Sequence, residues 1–178
     1  MGLCLSDIGA KWFGPNKPRC LMLGLKGAGK LTILFKLKLG MHYPSIPVID
    51  FDFYYYHYYY TICAFHIGDQ YNDKPIWRRY YNNTKFLIFV IDSADMNNID
   101  EACAELHKIL EEEQLKDAAL LVYANKQDLP NALTSSELRD RLGLDSMSNR
   151  LWHIQEMNGI TGEGLYEGFD WINECIKK

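Results

Sequence analysis

A lysine among glycines is the first place in this chain where residue types and spacing could do chemistry. Gly24-Leu25-Lys26-Gly27-Ala28-Gly29-Lys30-Leu31-Thr32 follows an apolar run ending at Leu23 and leads into a helical stretch, Ile33 to Leu39. Strand, glycine-rich loop and helix in that order make a cradle for phosphate. Glycines let backbone N–H groups turn inward toward an anion. Lys30 adds a point charge for β- and γ-phosphates, and the helix dipole acts in the same sense. The plainer alternative is a glycine-rich turn that holds nothing; the lysine and both flanking elements weigh against it. One position departs from the pattern. The hydroxyl that ligates Mg2+ belongs directly after the lysine, and Leu31 stands there. Thr32 is one step on, and one step at a helix start turns a side chain by about 100°, so it is a poor substitute.

A second cluster, Asn125-Lys126-Gln127-Asp128, stands at the end of the apolar run Ala119 to Ala124. An aspartate here can accept two hydrogen bonds from the Watson–Crick edge of guanine, whereas adenine offers the wrong pattern. The aliphatic stem of Lys126 can cover the base, and Asn125 can tie loop to base. Alone, these four residues could be a polar turn; placed after a phosphate loop they read as a guanine pocket.

The elements that must hold these clusters are strands alternating with helices, the pattern of an α/β domain with a largely parallel sheet. Cys20 to Leu25, Phe86 to Asp92, Ala119 to Asn125 and Leu151 to Met157 have the length and apolar continuity of strands buried on both faces. Ile99, Cys103, Leu106 and Leu110 recur at helical spacing, as do Leu165, Phe169, Ile172 and Ile176. Thr134-Ser135-Ser136-Glu137 is a capping box, with Gly143 placed to close the helix it opens. Phe51 to Phe65 is long enough for two strands with a tight connection, and the tyrosines of 54–60 around His57 make it strongly aromatic. An aromatic hairpin with one face packed inward is the preferred reading, and a partner-binding face is the alternative.

At 178 residues and 48% hydrophobic, the chain suits one domain with a full core. A net charge of −4 without a basic block gives no reason to expect nucleic acid as a partner. The five cysteines show no paired spacing, which argues against a disulfide framework or zinc site and fits a reducing, cytoplasmic setting.

Over essentially its whole length the sequence resembles the ADP-ribosylation factor (Arf) family of small GTPases. The resemblance is carried by the two clusters above together with Lys36-Leu37-Lys38-Leu39-Gly40, Ile46-Pro47, Trp77-Arg78, Leu87 to Ser93, Ala124 to Ala132 and Gly164-Leu165-Tyr166-Glu167-Gly168. It implies the P-loop small-GTPase fold, a six-stranded mostly parallel sheet with helices on both faces and an N-terminal amphipathic helix. It implies GDP or GTP as ligand, and exchange factors, GTPase-activating proteins and effectors of membrane traffic as partners. It also implies that Asn158-Gly159-Ile160 donates a backbone N–H to the guanine oxygen, with small Gly159 in its middle.

Met1-Gly2 with Ser6 fits the N-myristoylation pattern, which would place a lipid on Gly2. Leu5, Ile8 and Trp12 then form a short amphipathic stripe. Residues 1–16 are therefore set apart as a membrane-binding segment and 17–178 as the guanine-nucleotide-binding domain. The expected location is the cytoplasmic surface of the Golgi or another endomembrane. The alternative for the segment is a helix packed on its own domain.

The resemblance also exposes departures where the family senses γ-phosphate through Mg2+. Besides Leu31, Val48 stands for a threonine that grips metal and γ-phosphate, His66 for an aspartate of the metal's water shell, and Asp69 for a glycine whose N–H meets the γ-phosphate. A carboxylate about 4 Å from a phosphate charge repels it by roughly 4 kcal/mol at an effective dielectric near 20. Lys26 replaces an acidic residue and brings extra positive charge to the loop. Gln70 matches the glutamine that positions the attacking water, and Phe51, Phe65 and Tyr80 match the effector-facing trio. Three readings follow: a GDP-biased binder with impaired hydrolysis and weak Mg2+ dependence, a conventional Arf switch, and an interaction module that binds no nucleotide.

Overall fold

The computed structural model describes residues 18–39, 53–56, 61–64, 78 and 80–177. In chain order these form β1 (Arg19–Leu23), α1 (Lys30–Leu39), β2 (Phe53–Tyr56), β3 (Thr61–Ala64), β4 (Thr84–Asp92), α2 (Ile99–Leu110), β5 (Ala119–Asn125), α3 (Ser135–Leu142), β6 (Trp152–Glu156) and α4 (Leu165–Lys177). The sheet order is β2-β3-β1-β4-β5-β6. All neighbours run parallel except β2 and β3, which pair antiparallel from Phe53↔Ala64 to Tyr56↔Thr61. The reading of Phe51 to Phe65 as two strands is met in those two segments. The N-terminal helix expected from the sequence lies outside the described residues.

The strands are apolar throughout because each face meets its own helices. Within one run, alternate residues enter different cores. Leu21 and Leu23 of β1, Leu87, Phe89 and Ile91 of β4, and Leu120, Val122 and Ala124 of β5 pack with α2 and α3. Cys20 and Met22, Phe86, Ile88 and Val90, and Leu121 and Tyr123 pack on the other side with α1 and α4. Period-two alternation is thus present but hidden, both phases being apolar.

One boundary shifts, and the structure settles which faces of two helices are buried. β1 stops at Leu23 rather than Leu25, because the chain turns at Gly24, where a Cβ would collide with the carbonyl oxygen of Val90. On α2 the buried residues are Ile99, Ala102, Leu106 and Ile109, with Cys103 and Leu110 half-buried at the edge; the apolar stripe is wider than one i, i+3/i+4 row, and burial favours its other side. On α4, Gly168 joins Leu165, Phe169 and Ile172 in the core. A Cβ at Gly168 would stand 2.6 Å from the Tyr123 ring, whose hydroxyl donates to Leu165 O at 2.7 Å. The α3 cap is as expected. Glu137 N–H donates to Thr134 Oγ1, Thr134 N–H donates to Glu137 Oε2 at 2.8 Å, and Gly143 closes the helix at φ 62°.

Away from the strand ends that carry the loops of interest, Arg150 knits the crossovers. Its guanidinium donates to Leu115 O at 2.7 Å, Ala118 O at 2.5 Å and Leu110 O at 3.4 Å. Among the described residues no helix is long and apolar enough to cross a membrane.

Candidate nucleotide-binding site

The carboxyl ends of β1, β4, β5 and β6 lie side by side in a parallel sheet, so the loops that leave them converge at one edge. Ligands of open α/β sheets bind at that edge. The glycine-rich loop follows β1, Asp92 ends β4, Asn125 ends β5, and Asn158-Gly159-Ile160 follows β6.

The loop after β1 is built to present backbone. Gly27 and Gly29 have φ of 82° and 102°, which side chains with a Cβ rarely adopt. A Cβ on Gly27 would meet nothing within 4 Å, so the loop is open there. At Gly29 a Cβ would collide with the Asn125 amide. Ala28 N–H donates to Leu25 O at 3.2 Å, and Ile33 N–H donates to Gly29 O at 3.0 Å, starting α1. Lys30 is 2% exposed. Its ammonium donates to Gly24 O at 2.5 Å and Leu25 O at 2.7 Å. Burial pushes its pKa down to about 7, because two carbonyl dipoles do not replace the water an ammonium loses. A phosphate in the cradle would supply the missing countercharge.

Asn125, also 2% exposed, joins two loops. Its Nδ2 donates to Ala28 O at 2.7 Å, and its Oδ1 accepts from Gly159 N–H at 2.9 Å. The residue read from the sequence as tying loop to base therefore ties phosphate loop to base loop. Gly159 is buried and its N–H takes Asn125 as acceptor, as a buried amide takes an acceptor within reach. Asn158 Oδ1 accepts from Ile160 N–H and Thr161 N–H at 2.9 and 3.2 Å, which rounds off that loop.

Lys126 has φ 68°, a left-handed conformation uncommon outside glycine. Its ammonium pairs with Asp92 Oδ2 at 2.5 Å, and Asp92 Oδ1 accepts from Ala94 N–H at 3.1 Å. Gln127, which the sequence reading left without a role, donates through Nε2 to Leu133 O at 2.9 Å and anchors the following turn. Asp128 is exposed, and among the described residues no hydrogen bond engages its carboxylate. Glu156, likewise missed, accepts at 2.6 Å from Ser135 N–H and fixes the α3 N-terminus to the end of β6. Neither Asp92 nor Glu156 carries a local sequence signal beyond being an acidic residue that closes an apolar strand.

On the phosphate side, Leu31 is half-buried in the first turn of α1 and has no oxygen. Thr32 Cγ2 lies 3.6 Å from where a Cβ on Gly159 would be, so its methyl leans toward the base loop. The described part of the loop thus offers a phosphate the Lys30 ammonium and glycine-shaped backbone, while Leu31, directly after the lysine, offers a magnesium ion no oxygen; that position does not fit the metal. Lys26 is exposed at the loop tip and borders a small cleft with Asp92, Asp95 and Asn98. Tyr80 is half-buried against the α2-side core. Gly2, Val48, Phe51, Phe65, His66, Asp69 and Gln70 lie outside the described residues.

The sequence profile of the ADP-ribosylation factor family matches residues 5–176.

Proposed function

This chain belongs to the ADP-ribosylation factor family of small GTP-binding proteins of membrane traffic, and from that premise we propose that it binds guanine nucleotide with a bias to GDP and hydrolyses GTP slowly. The observation that carries the proposal is Leu31: Lys30 is buried at the head of the glycine-rich loop, and the side chain next to it has no oxygen for Mg2+. Val48, His66 and Asp69, by their sequence positions, extend the same loss to the switch loops. In this reading residues 17–178 form the nucleotide-binding domain. Lys30 and the loop amides hold the β-phosphate, Lys26 adds positive charge, and Lys126 and Asp128 take the guanine. Gln70 is retained where water would be positioned. Phe51, Phe65 and Tyr80 keep a partner surface for exchange factors or effectors. Gly2 carries a myristoyl chain and residues 1–16 add an amphipathic helix, the second signal that stable attachment requires. The attachment is to the cytoplasmic face of the Golgi or another endomembrane.

Calorimetric titration with GDP and a non-hydrolysable GTP analogue, each with Mg2+ and with excess chelator, tests the chemistry. The expected result is tight GDP binding indifferent to chelator and weaker binding of the analogue. Equal binding of both, lost on chelation, would instead establish a conventional switch.

A further inference from the structure

Asp92 sits at the end of β4 and is the register partner of Asn125 on β5. That places it beside the residue that precedes Lys126. Its two carboxylate oxygens have different tasks. Oδ1 accepts from Ala94 N–H at 3.1 Å and so cannot swing away, while Oδ2 holds the Lys126 ammonium at 2.5 Å. Three described non-glycine residues have positive φ. Asn83 and Asn131 are of a type that tolerates it; Lys126 is not, and such strain persists only where the surroundings over-determine it. Here the backbone is held by Ser93 N–H on Asn125 O at 3.0 Å, Leu129 N–H on Lys126 O at 3.0 Å and Gln127 N–H on Met157 O at 3.3 Å. The polar contact of the Lys126 side chain, among the described residues, is that of the ammonium with Asp92.

We propose that Asp92 is the positioning residue of the base pocket: by fixing the Lys126 ammonium it lays the lysine's methylene stem across the place the purine ring takes. This rests on the guanine reading above. Lys126 begins from an imposed backbone conformation and has several freely rotating bonds. Anchoring its far end removes that freedom before the nucleotide arrives, so less is lost on binding. The side chains of the pair are 32% and 19% exposed, which screens them less than an open surface pair. Asp92 does not touch the nucleotide in this scheme; it acts through Lys126.

The test is a double-mutant cycle on the full chain, read by titration with GDP carrying a fluorophore on the ribose. Asp92→Asn keeps an oxygen for Ala94 N–H and gives up the charge that holds the lysine. Lys126→Met keeps the stem and gives up the ammonium. Each single change is expected to weaken GDP about tenfold, and the double change no more than either alone. Inosine diphosphate should lose the same factor as GDP in Asp92→Asn, because the stem covers the ring and does not read the 2-amino group. Independent, multiplying losses in the double variant would overturn the proposal, as would unchanged GDP binding by Asp92→Asn. Wild-type protein that binds no guanine nucleotide would overturn the guanine reading itself, and that appears in the first titration, before any variant is compared.

Discussion

The two halves of the site are built by opposite means. On the base side, Asn125 and the Asp92–Lys126 pair spend their polar atoms on neighbouring loops, and Gln127 and Asn158 on the turns they themselves belong to or precede. That side is framed by the protein itself. On the phosphate side, Lys30 is buried with two carbonyls for company and Leu31 contributes no polar atom. The difference teaches that polar side chains can frame one side of such an edge from within the protein, while a buried ammonium on the other side still wants a countercharge. Leu31, apolar and directly after Lys30, is thus accommodated with the fold of this edge intact.

Asn125→Ala should blur the comparison most, since it cuts the tie between the halves. Two buried hydrogen bonds are lost and their partners stranded, which should cost about 3 kcal/mol of stability, measured by urea unfolding without nucleotide. Unchanged stability would mean the halves are held together by something else. Lys30→Ala sharpens the contrast: GDP affinity should fall about 100-fold in the fluorescence titration, while the base-side ties remain. Next in size is the effect of pH. Lys30 has a pKa lowered to about 7 in the free protein, and a bound phosphate would raise it, so binding takes up a proton above pH 7. GDP affinity should fall between pH 7 and pH 9, by up to about tenfold per unit. Calorimetry in buffers of different ionisation enthalpy should show proton uptake, and a flat profile would mean the lysine is charged throughout. The smallest change is expected from Leu31→Thr. Restoring one hydroxyl should sharpen the chelator sensitivity of GDP binding by only about threefold, because Val48, His66 and Asp69 remain altered. A full return of magnesium dependence would locate the whole defect at one residue.

Much of this was legible in the sequence because it is local. The phosphate loop, the Asn125 to Asp128 stretch and the Thr134 cap are contiguous, and their residue types follow from backbone geometry that neighbours in sequence impose. What escaped was long-range. Asp92 meets Lys126 only because β4 and β5 pair in one register. Glu156 caps α3 only because β6 ends beside it. The engagement of the Gly159 N–H by Asn125 likewise depends on how far apart β5 and β6 set their loops. Helical spacing placed α2, but a broad apolar stripe does not say which of its edges the sheet will cover, and burial falls most fully on Ile99, Ala102, Leu106 and Ile109.

The pairing of β1 has a consequence for how the chain comes to be folded at all. Cys20 is the register partner of Ile62 on one side and Phe86 on the other, so β1, the earliest of the described strands, waits for partners made much later. Closing such distant contacts is slow, and apolar strands left unpaired meanwhile are prone to aggregate. During synthesis the phosphate loop therefore has no stable base until β4 has left the ribosome. A nascent chain halted before Asp92 should be bound by chaperones and sensitive to proteases.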